Sequence, residues 1–369
     1  MRYVLKKDYP EIGTYMRSIN KLVILVPGFA TDEQETTAFP SLQLFLNNLL
    51  KEYPGIKISV IAFHYPFAER HYNWKGMDVY SAGGNKWKTG KLRTWYRVLK
   101  HLFRIRKTSG IDIVHAFWLA DTALIGIFFR FITGTPLLLT AMGQDVKSQN
   151  RYLKVLPLKN VSVTFLSGFQ LDYNPSLSLK CKSRIIPFGI DPEFHNEQLS
   201  ARTTDIIGVG SLNAIKNYPD FIDIVHAVSN VIPHLRCRIV GKGSELKRIK
   251  DLLLETKTAE IITLTGELQY EQAIREMSGA KILLHTSVFE GQGLVITEAL
   301  ASGAYVVSYP IGIAKDLKCK KLIVAETKAE LIKTLISILQ KEDPDYSGEV
   351  FYTIRETCKS YMEIYNTIN

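Results

Sequence analysis

Residues 281–299 read KILLHTSVFEGQGLVITEA. A short apolar run, Lys281–His285, gives way to a loop with glycines at 291 and 293, and a helical pattern then opens at Leu294. Strand, glycine loop and helix in that order form one unit of a parallel α/β sheet. The glycines let backbone approach a ligand closely. The unpaired amides and positive dipole end of the new helix suit a phosphate. Glu290 lies in the loop and Glu298 about one turn into the helix, so both carboxylates can face one crevice and accept hydrogen bonds from sugar hydroxyls. Read without chemistry, they are a solvated loop glutamate and an ordinary first-turn glutamate.

The same unit recurs upstream. Val209-Gly210-Ser211-Leu212-Asn213-Ala214-Ile215-Lys216-Asn217 follows a strand and precedes a helix. Lys216 opposes the dipole of that helix, a placement that favours a bound anion, and it can neutralise a diphosphate leaving group. Its plain alternative is a surface lysine near a helix start. Ile239-Val240-Gly241-Lys242-Gly243-Ser244-Glu245 repeats the arrangement. Gly-x-Gly after a strand is weak on its own, and Ser244 can simply cap the next helix.

Outward from these loops the whole chain alternates strand with helix. Strands are expected at Leu22–Val26, Ile56–Phe63, Ile111–His115, Pro136–Thr140, Val161–Leu166 and Arg184–Ile186, with helices near Pro40–Tyr53, Gly90–Lys107 and Leu119–Ile132. The pattern restarts after Asp191-Pro192. Strands follow at Asp205–Gly210, Leu235–Val240, Ile261–Thr265, Lys281–His285, Tyr305–Ser308 and Lys321–Val324. A length of 369 residues exceeds the roughly 250–300 at which single cores stop growing, so two domains are expected. The turn-rich segment IPFGIDPE, 186–193, marks the joint. The expected division is 1–187, 188–349 and a terminal helical stretch, 350–369, returning to the first domain. Two doubly wound halves place ligands in the crevice beyond the carboxyl ends of their strands.

Composition narrows the classes. The chain is 46% hydrophobic and 22% charged, which excludes a disordered chain. The cysteines at 181, 237, 319 and 358 form no C-x-x-C pair and have no zinc-type histidine spacing. Free thiols in a reducing compartment fit this pattern, so a cytoplasmic location is expected; a place on the inner face of the cell membrane is a further expectation, resting on the basic stretch 86–107 and not on the cysteines. Residues 116–142 are greasy, but Asp121, Arg130, Gly134 and Pro136 interrupt them, so a buried helix and strand are expected and not a membrane span.

The net charge of +10 is uneven. Residues 1–190 hold 26 Lys/Arg against 12 Asp/Glu, and residues 191–369 hold 20 against 24. Within the basic half, residues 86–107 read KWKTGKLRTWYRVLKHLFRIRK, with nine Lys or Arg, no acid and interleaved aromatics. A basic amphipathic helix of this kind can lie on an anionic membrane surface, or it can pack its aromatic stripe on the sheet. Nucleic acid is not expected, because no recognised binding module accompanies the charge.

Taken together, Gly-Ser-Leu-x-x-x-Lys-Asn, Gly-x-Gly-x-Glu and Glu-Gly-x-Gly-Leu-x-x-x-Glu-Ala-x-Ala-x-Gly occur in that order. They resemble the donor domain of glycosyltransferase family 4, which has the GT-B fold of two facing Rossmann-like domains. The resemblance covers residues 187 to about 308. It implies a retaining transfer from a nucleoside-diphosphate sugar with no cofactor and no required metal, to a glycan or polyprenyl-linked acceptor, in cell-surface polysaccharide assembly. By it, Glu290 contacts the donor sugar, Glu298 the ribose and Lys216 the diphosphate. The amides around Gly291, Gly293, Leu294 and Val295 hold sugar and phosphate, and Ser211, Gly241 and Gly243 border the donor.

The first half is similar more loosely. Pro27-Gly28-Phe29 matches an early glycine loop, which makes Gly28 a donor-binding candidate, and Asp112-Ile-Val-His115-Ala-Phe-Trp118 a strand-end histidine near the reacting carbon. Thr140-Ala-Met-Gly143-Gln-Asp145 matches a following turn. The resemblance makes His115, with Lys216 and Glu290, a catalytic candidate; the residue alone reads as a satisfied core histidine. His64, Asn85 and Asp145 are candidates for acceptor contact or for support behind it. Three departures stand out: Ser211 where an arginine is common, Gln292 where phenylalanine is common, and Ala304-Tyr305 in place of a Gly-x-Pro turn. A nucleotide-sugar 2-epimerase and a non-catalytic scaffold of the same fold remain alternatives.

Overall fold

Runs of β-branched and aliphatic residues form the middle strands of two sheets, because a strand covered on both faces must be apolar throughout. The computed structural model describes residues 18–84, 90–195 and 202–368. The first sheet holds β1 (Lys21–Gly28), β2 (Lys57–Tyr65), β3 (Glu69–Trp74), β4 (Met77–Ala82), β5 (Ile113–Phe117), β6 (Leu137–Ala141), β7 (Ser162–Phe165) and β8 (Lys182–Ile185). Their spatial order is β3-β4-β2-β1-β5-β6-β7-β8, parallel except for β3. Its helices are α1 (Pro40–Glu52), α2 (Lys91–Thr108), α3 (Asp121–Thr133), α4 (Gly168–Tyr173) and α5 (Ser176–Lys180).

The second sheet is parallel throughout, in the order β11-β10-β9-β12-β13-β14, from β9 (Thr204–Val209), β10 (Cys237–Val240), β11 (Ile262–Gly266), β12 (Ala280–His285), β13 (Tyr305–Ser308) and β14 (Leu322–Val324). Helices α6 (Tyr218–Ser229), α7 (Leu246–Glu255), α8 (Tyr270–Ser278), α9 (Leu294–Ala301) and α10 (Lys328–Leu339) cover it, and α11 (Ile354–Thr367) closes the chain.

Each sheet has an apolar core on both faces. On one face of the first sheet, Phe45 and Leu49 of α1 meet Cys358, Tyr361 and Tyr365 of α11; on the other, Val98 and Leu102 of α2 meet Phe129 of α3. Helix α11 therefore belongs by packing to the first domain, although it follows the second in sequence. The two crossings between domains lie side by side. Ile190 donates to Tyr352 O at 3.0 Å, and Ile354 donates to Ile190 O at 2.7 Å.

Two features differ from the sequence reading. The β3–β4 hairpin was not expected; its turn, Lys75-Gly76, holds both residues at positive φ. Helix α3 is also not buried all round: Phe128, Phe131 and Ile132 are exposed. Among the described residues no helix is long and apolar enough to cross a membrane.

Candidate active site

The carboxyl ends of β9, β10, β11 and β12 open onto a cleft of about 500 Å³. Its second-domain wall includes Gly210, Ser211, Lys216, Gly241, Lys242, Tyr270 and the stretch Glu290–Val295 with Glu298. The first domain contributes Thr36 and Thr37 from the loop before α1, Pro40 at the start of α1, Met142 after β6 and Leu166 after β7. This is the position at which doubly wound sheets bind ligands.

Lys216 reaches the cleft because the turn before it is held by Asn213, whose side-chain carbonyl accepts from the Ile215 and Lys216 amides. Its Nζ donates to Glu290 Oε1 at 2.6 Å. The same carboxylate oxygen accepts from Ser287 Oγ at 2.8 Å and faces His285 Nε2 at 3.3 Å. His285 Nδ1 in turn meets Ser308 Oγ at 3.2 Å. Burial pushes the Glu290 carboxyl up, but the Lys216 ammonium and the His285 contact overcome it and hold the group well below the usual carboxylate range. His285 itself is driven below its ordinary value by burial, against the pull of Glu290. Glu290 is therefore held as the carboxylate at neutral pH, unsuited to donating a proton.

Glu298 sits in the second turn of α9 and accepts from Tyr270 Oη at 2.9 Å. Burial raises its carboxyl to about 7, with Tyr270 and Lys216 pulling the other way. Two glutamates eight residues apart thus have opposite electrostatic characters. One is fixed by a cation; the other is near half-protonated at neutral pH.

The loop between them is fastened to the first domain. Gly291 O accepts from Ser167 Oγ at 2.6 Å, and a β-carbon on Gly291 would lie 2.3 Å from Met142 O. Gln292 grips the interdomain segment through both amide atoms, accepting from Phe188 N at 2.8 Å and donating to Phe188 O at 2.7 Å. Phe289 packs against Tyr173 and Phe169, with ring centroids 4.9 and 5.5 Å away, and Lys147 Nζ lies 4.3 Å over its ring. Gly293, at φ 82°, turns the chain into α9, and Leu294 and Val295 line the cleft. Elsewhere on the second-domain wall, a β-carbon on Gly241 would lie 2.0 Å from Gly210 O, so these two glycine loops pack backbone to backbone. Gly243 makes the same kind of close approach to Leu212 O and stands behind the cleft wall.

Other expected residues lie elsewhere. His115 does not reach the cleft. It is the middle residue of β5, on the face of Ile113 and Phe117 that α11 covers, and it is fully buried. Its Nδ1 meets Tyr365 Oη at 2.7 Å and its Nε2 meets Thr140 Oγ1 at 2.6 Å, and burial holds its pKa well below the ordinary value. It is a core histidine with both nitrogens paired. Gly28 ends β1 beneath the Phe39 ring, which a β-carbon there would meet at 2.7 Å, and is not part of the cleft wall. His64, next to last in β2, pairs with buried Asp121 at 2.9 Å, also away from that wall. Asp145 accepts from the Leu119, Met142 and Gly143 amides, bracing the turn that carries Met142 into the cleft. Asn85 lies outside the described residues. Sequence reasoning missed Tyr270, His285 and Ser287, since a lone tyrosine at a helix start and a Ser-x-x-Glu turn are too common to signal anything. It also missed Thr36 and Thr37, which only the apposition of the domains brings near.

Two Rossmann-like sheets facing each other across a cleft define the GT-B fold, and solved structures share it. Sucrose-phosphate synthase of Thermosynechococcus elongatus superposes with a TM-score of 0.71, at 15% identity over 94% of this chain and 94% of that one. Anabaena HepE in complex with UDP-glucose gives 0.67, at 17% identity over 93% and 94%. Within that fold, residues 191–348, which make up most of the second domain, match the family profile described as Glycosyl transferases group 1. A 135-residue stretch, 36% of the chain, is 27% identical to the GtfA subunit of the UDP-N-acetylglucosamine–peptide N-acetylglucosaminyltransferase of Streptococcus parasanguinis; it spans 26% of that protein. An uncharacterized glycosyltransferase of Methanocaldococcus jannaschii is 22% identical over 73% of this chain and 75% of its own length.

Proposed function

We propose that the protein transfers a sugar, with retention of anomeric configuration, from a nucleoside-diphosphate sugar bound in the cleft to a glycan or lipid-linked saccharide. Cell-surface polysaccharide assembly is the setting that fits. The observation that carries this reading is the Lys216–Glu290 pair, a cation and a carboxylate at 2.6 Å, set between two glycine loops and an open helix end. Departure of the sugar builds positive charge at the anomeric carbon and negative charge on the diphosphate. Lys216 turns from Glu290 to the diphosphate, and the amides at the start of α9 share its charge. Glu290, still held by Ser287 and His285, then faces the sugar and accepts from its hydroxyls. Glu298 accepts from the ribose. The acceptor attacks from the face the diphosphate leaves, and a leaving oxygen takes its proton. Lys216 and the helix amides do the work of a metal, so none is required. A uridine nucleotide is the first donor to try, because HepE is solved with UDP-glucose and pneumococcal GtfA with UDP and GlcNAc.

The test is incubation with UDP-, GDP- and ADP-sugars, with and without lipid-linked saccharides, followed by NMR of the product's anomeric proton. Acceptor-dependent product of unchanged configuration supports the reading. Inverted product overturns retention, and donor isomerisation without acceptor replaces transfer by epimerisation.

A further inference from the structure

Helices α2 and α3 lie side by side on one face of the first sheet. Both feed the same core, Phe103 of α2 meets Phe129 of α3 at 5.3 Å between centroids, and Arg106 Nη1 donates to Thr135 Oγ1 at 2.9 Å. Their outward faces therefore form one surface. Leu92, Tyr96 and Phe103 recur along α2 at spacings of four and seven residues, and all three are exposed. Across the seam, Phe128, Phe131 and Ile132 project from α3, with Phe131 87% exposed. Water-soluble surfaces rarely gather so many large apolar side chains without a partner.

The charge around this patch has one sign. Residues 91–160 hold twelve Lys or Arg and three Asp, those at 112, 121 and 145. Asp121 and Asp145 are buried, and Asp112 accepts from the Asn20 and Lys21 amides. The facing acid from outside this stretch, Glu69, is paired with Arg97 at 2.8 Å. Arg93, Lys100, Arg104 and Lys107 are in no ion pair among the described residues.

We infer that the α2–α3 face is a docking surface for an anionic lipid bilayer, with the aromatic side chains entering the interface and the cations meeting lipid phosphates. The combination selects that partner. Anionic headgroups match the unpaired cations, and the acyl boundary takes up Phe131, Phe128 and Leu92, which a purely polar polyanion would leave in water. The surface is separate from the cleft, so it stands or falls independently of the donor site.

The experiment is sedimentation of the full chain with vesicles of phosphatidylcholine alone and of phosphatidylcholine mixed with phosphatidylglycerol, beside a measurement of its mass in solution. Binding is expected only to the anionic vesicles. It should weaken between 0.1 and 1 M salt, as the screening length falls from about 10 to about 3 Å. Phe128→Ser with Phe131→Ser should reduce the partition about tenfold or more, and Lys100→Glu with Arg104→Glu at least roughly fivefold per cation. Both double variants change exposed residues, so Tm and nucleotide affinity should stay at wild-type values. Equal binding to neutral and anionic vesicles overturns the inference. So does a dimer that the α3 variant dissociates while vesicles are ignored. Because the lipid and salt comparisons use the unaltered chain, they decide the matter even if a variant fails to fold.

Discussion

Replacing Glu298 by glutamine should make the ligand-free protein more stable in alkali while weakening donor binding. The carboxyl is held at about 7 by burial, against an ordinary value of 4.5. Below pH 4.5 it is protonated both folded and unfolded. Between 4.5 and 7 the unfolded chain gives up a proton that the folded chain keeps, so wild-type stability falls with rising pH, and above 7 the loss is complete. The separation amounts to about 3 kcal/mol. Glutamine keeps the shape, still accepts from Tyr270 and carries no charge at any pH. The variant should therefore exceed wild type by up to about 3 kcal/mol at pH 8.5 and match it near pH 4. Urea denaturation followed by circular dichroism reads this; the tryptophans at 74, 87, 95 and 118 all lie in the first half and report the wrong domain. The donor affinity should move the other way, weaker by roughly ten- to a hundredfold, the worth of a charged hydrogen bond to ribose. A variant no more stable than wild type at pH 8.5, or one with undiminished donor affinity, would refute the reasoning.

Lys216→Ala should lower stability at pH 7 by about 2 kcal/mol, because Glu290 loses its cation and keeps only Ser287 and His285. Glu290 has the opposite sign to Glu298: its depressed pKa contributes stability above pH 4.5 that is lost as the solution is acidified, so the gap from wild type should narrow in Tm scans run below pH 4.5. Turnover in the same variant should fall about a hundred- to a thousandfold. Gly291→Ala drives a methyl group to 2.3 Å from Met142 O, so kcat should drop about a hundredfold through misaligned domains while nucleotide affinity, set by the second domain, changes little. Equal losses of both in stopped-flow and binding assays would contradict that split. His115→Leu strands the Tyr365 hydroxyl and takes one partner from Thr140, which keeps Thr164 and Tyr361, and should cost about 2 kcal/mol in stability with kcat per folded molecule retained. Lost turnover at unchanged Tm would return His115 to the chemistry.

The second domain was legible because the residues that line its cleft lie where the strand–glycine–helix rhythm breaks. Lys216, Glu290 and Glu298 all follow strand ends, and their spacing survives folding without reference to distant residues. The first domain was harder to read. Whether His115 ends a strand or sits within it depends on one or two residues of strand length, and its pairing with Tyr365 joins residues 250 positions apart. Likewise, the clamp of Phe289, Gly291 and Gln292 on the first domain exists only once the domains meet. In hindsight Gln292 was the clue: a long amide in a glycine loop needs partners, and Phe188 supplies both. The β3–β4 hairpin had a signal that was passed over, a Lys75-Gly76 turn between Tyr72–Trp74 and Met77–Tyr80. Helix α3 looked buried because its composition is apolar, and composition does not reveal which side of a helix lacks a neighbour.

The central claim is that Lys216 and Glu290 form the donor diphosphate and sugar subsite. Calorimetric titration of UDP and the matching nucleotide sugar into wild type, Lys216→Ala and Glu290→Gln tests it most directly. The account predicts that Lys216→Ala weakens UDP and nucleotide sugar alike, by roughly ten- to a hundredfold. It predicts that Glu290→Gln weakens the nucleotide sugar but not UDP. Affinities unchanged by both substitutions, or a wild-type protein that binds no nucleotide sugar of any base, would contradict it.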